Sequence, residues 1–197
     1  IYGSSGKFFT QIANGAPFDL YFSADIAYPK QLEEKGLTAS ETRAYALGRI
    51  VLWSLKPELA EVTLKDLPGA PVRKLAIANP DHAPYGLRAR EALEHQGVWE
   101  ALRPRLVLGE NIAHTAQFVD SGAADAGILA LALVRSPTMA GGSISSKNRV
   151  STPDTAHGAA ARGARGFTPF TASATARMWS GVVPQQPPTA FRRPFLA

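Results

Sequence analysis

Gly3-Ser4-Ser5-Gly6 places two hydroxyls between glycines, just ahead of a segment with Phe8, Phe9 and Ile12 at helical spacing. Backbone N–H groups, hydroxyl donors and the positive end of a helix dipole form an anion-binding device that needs no cationic side chain. Ala83-Pro84-Tyr85-Gly86 is a second such place: Pro84 suits the first position of a helix, and Tyr85 offers a phenol. Asn111-Ile112 opens a third helix. Three helix starts turned to one point would hold a dianion through neutral hydrogen bonds, each worth about 1.5–3 kcal/mol when one partner is charged. Taken singly, a Gly-Ser turn is an ordinary helix cap and a lone Tyr an ordinary packing residue.

Catalytic chemistry finds less support. The four histidines, His82, His95, His114 and His157, fall in no H-E-x-x-H pattern, and no Gly-x-Ser-x-Gly elbow occurs. Asp81-His82 could join Ser4 or Ser5 in a triad only under demanding geometry, and a solvated loop pair is the simpler reading. Gly6-Lys7 lacks the spacing of a P-loop and its following Ser or Thr. With no cysteine, disulfides, thiolate metal sites and a Cys nucleophile are excluded. No metal site and no cofactor is expected.

The net charge of +5 invites a nucleic-acid partner, but its distribution argues against one. Residues 141–197 carry seven Lys and Arg against the single acid Asp154, whereas residues 1–140 carry 14 basic and 15 acidic residues. The excess charge thus sits on the stretch least able to fold, not on an aromatic-bearing surface. No run of 18 apolar residues is present to span a bilayer. The sequence opens Ile1-Tyr2-Gly3 without Met or a positively charged apolar leader, so the expectation is that a leader was removed or that the beginning is missing.

The elements that must position these loops alternate between helix and strand. Strands are predicted at 18–22, 49–54, 74–78, 105–108 and 126–130 from their apolar runs. Helices are predicted at 7–13, from Asp25 to about Lys35, from Pro84 to about Gln96, at 99–102 and at 113–121. Thr38 and Glu41, three apart, read as a capping box for a helix ending at Gly48, and 64–67 as the start of a short helix. The alternation implies a layered α/β fold with a mainly parallel sheet. After about Ala140 neither period persists. Gly158-Ala159-Ala160-Ala161-Arg162-Gly163 and Pro184-Gln185-Gln186-Pro187-Pro188 suggest irregular or disordered chain, as from a shifted reading frame.

In order and spacing, several of these stretches resemble the periplasmic molybdate-binding proteins of bacterial ABC transporters, the ModA family. They are Tyr2-Gly3-Ser4-Ser5-Gly6-Lys7, Gly15-Ala16-Pro17-Phe18-Asp19-Leu20-Tyr21-Phe22-Ser23-Ala24-Asp25, Ala78-Asn79-Pro80-Asp81-His82-Ala83-Pro84-Tyr85-Gly86, Gly109-Glu110-Asn111-Ile112 and Gly122-Ala123-Ala124-Asp125-Ala126-Gly127-Ile128-Leu129-Ala130. The resemblance implies a two-lobed periplasmic-binding-protein type II fold closing over molybdate or tungstate. It places ligand contacts on Ser5 with Ser4 adjacent, on Tyr85, and on the backbone of Ile112. Tyr85 would supply the hydroxyl that some members carry where this chain has Ala130. Against the family pattern, residues 1–46 read as a partial first lobe, 47–131 as the second lobe and 132–197 as a crossover with an irregular tail. The first lobe, lacking its opening strand and its returning segment, should expose apolar surface.

The function implied is a periplasmic solute-binding protein, not an enzyme. It would act as a monomer and deliver its oxyanion to a membrane permease, with no nucleic-acid partner and no metal beyond the molybdenum of the ligand. A receptor for another oxyanion such as sulfate or phosphonate, a serine hydrolase, and the sensing domain of a transcription regulator are the alternatives.

Overall fold

A computed structural model describes residues 1–139, 141–149 and 155–161, all within one compact unit, Ile1–Arg165. Its elements run α1 (Ser5–Ala13), β1 (Leu20–Ser23), α2 (Ala27–Glu34), β2 (Arg43–Gly48), β3 (Ile50–Ser54), β4 (Leu75–Ala78), α3 (Pro84–His95), α4 (Trp99–Leu102), β5 (Leu106–Gly109), α5 (Ile112–Asp120), β6 (Ala126–Ala130), α6 (Leu131–Val134), β7 (Ser143–Arg149) and β8 (Thr155–Ala161). Two sheets result: a three-stranded one in the order β1-β8-β2 and a five-stranded one in the order β5-β4-β6-β3-β7.

Strands β3, β4 and β6 are buried at every position, as continuous apolar runs require when both faces of a sheet are covered. The twofold alternation then divides each strand between two cores. Ile50, Leu52, Leu75, Ile77 and Ile128 pack with Ala89 and Leu93 of α3. Val51, Trp53, Ala76 and Leu129 pack with Ala116 and Val119 of α5 on the other face. The first sheet has a far smaller core, Ile12, Tyr21 and Leu32, against α1 and α2.

The five-stranded sheet is mixed, not mainly parallel. β4 pairs parallel with β5 and β6, but β3 runs antiparallel to β6 and β7. The cause is the crossover at Gly48-Arg49. β3 arrives from the first sheet at the end where β4, β5 and β6 finish, so it must run back against them. There Ile50 pairs with Ala130, and the Leu131 N–H donates to the Arg49 carbonyl over 2.9 Å.

Three other expectations are corrected. Residues 43–48 form strand β2, not the end of a helix: Thr38 donates to the Ser40 carbonyl over 3.0 Å instead of capping, and β8 pairs along β2. Residues 64–67 are turns. The stretch expected to be irregular after about Ala140 holds β7 and β8. β8 lies between β1 and β2, with Gly158, Ala159, Ala160 and Ala161 opposite Ser23, Phe22, Tyr21 and Leu20, so the first sheet has a central strand from that stretch. Side chains this small carry little periodic signal; what they supply is backbone hydrogen bonding. Residues 150–154 and 162–197, which also fall in that stretch, lie outside the described residues. Among the described residues β1 is an edge strand. Leu20 and Phe22 project from it into solvent, beside a groove of about 270 Å³ lined by Ile1, Tyr2, Phe8, Phe18, Leu20 and Phe22.

Candidate ligand-binding site

Parallel pairing of β4 and β5 sets their C-terminal ends, Ala78 and Gly109, side by side. Each is followed by a turn and a helix, α3 or α5, so two helix N-termini open at one edge of the sheet, where ligands of α/β folds bind. The Asn79 N–H donates to the Gly109 carbonyl over 2.8 Å and fixes the two turns to each other. Helix α1, from the first lobe, is brought to the same edge. Its Gly6 N–H donates to the His82 carbonyl over 3.0 Å, and the Ser4 hydroxyl donates to that carbonyl as well. A Cβ on Gly6 would stand 2.6 Å from the His82 carbonyl oxygen, so only glycine permits this approach. The Lys7 ammonium meets the Glu110 carboxylate at 2.9 Å and completes the ring of contacts. This pairing holds the Glu110 carboxyl below its ordinary range through the Lys7 hydrogen bond and charge.

Ser4 and Ser5 are both buried, and their hydroxyls do different things. Ser4 spends its proton on the His82 carbonyl. His82 Nδ1 lies 3.0 Å from Ser4 Oγ, and with the hydroxyl proton committed, the ring nitrogen serves as donor to it. That orientation does not suit a base activating a nucleophile. Ser5 Oγ accepts from the Ala24 N–H over 3.0 Å, and the Ser5 carbonyl accepts from the Tyr21 hydroxyl over 2.7 Å. No acceptor among the described residues takes the Ser5 proton, which leaves it available to a ligand.

Tyr85 follows Pro84 in the first turn of α3, half-buried against the core that α3 covers. Burial, with Tyr45 nearby, pushes its phenol up to about 12, so it is neutral and a donor at physiological pH. Its oxygen lies 3.0 Å from His157 Nε2 on β8. Ile112 opens α5, and its N–H is among the first four that have no acceptor within a helix. Asn111 caps this helix by accepting the His114 N–H over 2.9 Å. Ser4 and Gly6, on either side of Ser5, thus contact the His82 turn, Tyr85 comes three residues after His82, and Ile112 two residues after Glu110.

Arg88 and His157 had no site role in the sequence reading, and His82 was weighed there only as a triad partner of Ser4 or Ser5. Arg88 of α3 reaches Asp25 of the first lobe at 3.5 Å and Glu91 at 2.6 Å, so its charge is matched. Asp25 was legible only as a helix cap, a role it also fills by accepting the Ala27 N–H over 2.9 Å. Among the described residues no group of three or more acidic or histidine side chains is placed to hold a metal ion. The charged groups here are paired across the cleft, while the uncommitted donors, the Ser5 hydroxyl and the start of α5, are neutral. Donors of this kind are able to hold an anion by hydrogen bonds and helix dipoles.

Residues 1–164 match the family described as bacterial extracellular solute-binding proteins. The chain belongs to that family. Among its relatives, the molybdate-binding protein ModA of Azotobacter vinelandii is 42% identical over 134 residues, covering 68% of this chain and 53% of the relative. ModA of Rhodobacter capsulatus is 39% identical over 138 residues, with the same coverage of 68% and 53%. The chain therefore spans about half the length of these solute-binding relatives. The structure of the Azotobacter vinelandii periplasmic molybdate-binding protein superposes with a TM-score of 0.72 at 32% identity, covering 90% of this chain and 77% of that one. The two-lobed solute-binding fold follows from this match.

Proposed function

We propose that this chain is the ligand-capturing part of a periplasmic molybdate- or tungstate-binding protein, which holds the oxyanion between its lobes and yields it to the permease of an ABC transporter. The observation that carries the reading is the Ser5 hydroxyl. One of its two lone pairs accepts from the Ala24 N–H, the Ser5 backbone carbonyl accepts from the Tyr21 hydroxyl, and the Ser5 hydroxyl proton is left for a ligand at the mouth of α1. Molybdate and tungstate, fully deprotonated near neutrality, present only acceptors, and a cage of donors suits them. Hydrogen phosphate carries a proton that would need an acceptor there. The names of the relatives supply the identity of the anion; the geometry supplies the reason that a neutral cage suffices.

The chain acts by binding and release, with no covalent step, since Ser4 is committed to the His82 carbonyl. In this reading it works as a monomer. Calorimetry of the chain with molybdate, tungstate, sulfate, phosphate and a phosphonate tests the reading. Molybdate and tungstate should bind at least about tenfold more tightly than sulfate, a difference of about 1.4 kcal/mol. Sulfate or phosphate binding as tightly as molybdate would contradict it.

A further inference from the structure

The Tyr85 phenol has one proton. If its O–H donates to His157, Tyr85 turns only lone pairs to a ligand, and these would face the negative oxygens of an anion. If His157 Nε2 carries the proton between them, the phenol is free to donate to the ligand. The two rings meet edge to face, centroids 5.8 Å apart at 89°, with the phenol oxygen 3.0 Å from Nε2. Tyr45 packs against the other side of the imidazole, centroids 5.5 Å apart. Beneath both polar atoms lies the crossover glycine: a Cβ on Gly48 would stand 2.3 Å from His157 Nε2 and 3.0 Å from the Tyr85 oxygen. The main chain passing between lobes thus leaves just the room that this pair fills. The pair also joins β8 of the first lobe to α3 of the second.

We propose that His157 is a positioning residue for Tyr85, donating from Nε2 to the phenolic oxygen in the liganded protein so that the phenolic proton turns to the oxyanion. This rests on the reading of Tyr85 as a ligand contact. Burial lowers the tendency of His157 to take a second proton, against the pull of Asp25, and so favours the neutral imidazole, which adds no cation to the site. The charged and titratable groups around it are Tyr85, Tyr45 and Asp25, the last paired with Arg88.

The test combines molybdate calorimetry on Y85F, H157F, H157Q and the double variant Y85F/H157F with 15N NMR of the wild-type imidazole in the molybdate complex. Loss of one hydrogen bond to a charged ligand should weaken Y85F roughly tenfold or more. H157F should weaken binding to a similar degree, the double variant no further than Y85F, and H157Q, which keeps a donor, should recover most of the loss. Nε2 should carry the proton in the complex. If Y85F binds molybdate as wild type does, the ligand-contact reading of Tyr85 itself fails. If Y85F is weakened but H157F is not, or H157F weakens binding equally with and without Tyr85, His157 has no positioning role. An unprotonated Nε2 in the complex overturns the proposal even where H157F does not fold, because it is read on the wild-type chain.

Discussion

Gly6 donates its N–H to the carbonyl of His82 over 3.0 Å, across the boundary between the lobes and 76 positions along the chain. The contact seats the mouth of α1 on the turn that leads to Tyr85. G6A inserts a methyl 2.6 Å from that carbonyl oxygen and 3.0 Å from the Tyr28 hydroxyl. The backbone cannot yield there without parting the lobes, and overpacking of this kind costs about 1–3 kcal/mol. G6A should therefore stay folded by circular dichroism and lose molybdate affinity about tenfold or more. Unchanged affinity would show that the α1 mouth has no part in the site.

Ser4 and Ser5 separate by experiment. S5A removes the uncommitted proton and should weaken molybdate binding by roughly 10- to 100-fold in calorimetry. S4A leaves the His82 carbonyl with Gly6 alone and should chiefly lower the thermal midpoint, with a smaller effect on affinity. Neither serine should react with a fluorophosphonate probe. Labelling of Ser4 would revive the hydrolase alternative, with His82 as its base.

The alkaline limb of stability carries the signature of Tyr85. Its phenol rises from 10.0 to about 12 in the folded chain because burial disfavours the phenolate. The unfolded chain therefore deprotonates first as pH rises. The stabilisation is complete below about 10 and is lost as pH climbs toward about 12. Tyr21, raised by burial as well, adds in the same direction. Denaturant titrations should show stability falling across this window, less steeply in Y85F, with a residual slope from Tyr21. Molybdate affinity should be flat between neutrality and about pH 9, where the phenol keeps its proton. A fall in affinity over that range would mean that a more acidic group makes the contact.

The two lobes should differ in local stability. Among the described residues, fifteen buried ones form one core of the five-stranded sheet and nine the other, whereas three form the core of the first sheet. Amides of α1, β1 and α2 should exchange with solvent faster than those of β3, β4 and β6. Equal protection of the two groups would contradict the difference.

Much of this was legible because it depends on local signals. The run Ala126–Ala130 reads directly as a strand buried on both faces, and Pro84 marks the first residue of α3. Gly3-Ser4-Ser5-Gly6 announces a helix mouth with donors. Partners set by distant chain were not legible. Arg43–Gly48 is a strand because β8 lies beside it, and the Thr38–Glu41 spacing misleads until that neighbour is known. β8 itself is hidden by its alanines. Nothing local distinguishes Ser4 from Ser5; the difference arises from His82 and Ala24, one of them 78 residues away. His157 meets Tyr85 only through the crossing of the lobes.

The central claim is that neutral donors at helix mouths, not cationic side chains, cage the anion. Diffraction from crystals grown with molybdate, recorded at the molybdenum absorption edge, measures this directly. The account expects one anomalous peak at the ends of β4 and β5, its oxygens within hydrogen-bond reach of the Ser5 hydroxyl, the Tyr85 hydroxyl and the Ile112 N–H. A peak elsewhere, or one whose oxygens are held by lysine or arginine side chains, would contradict it.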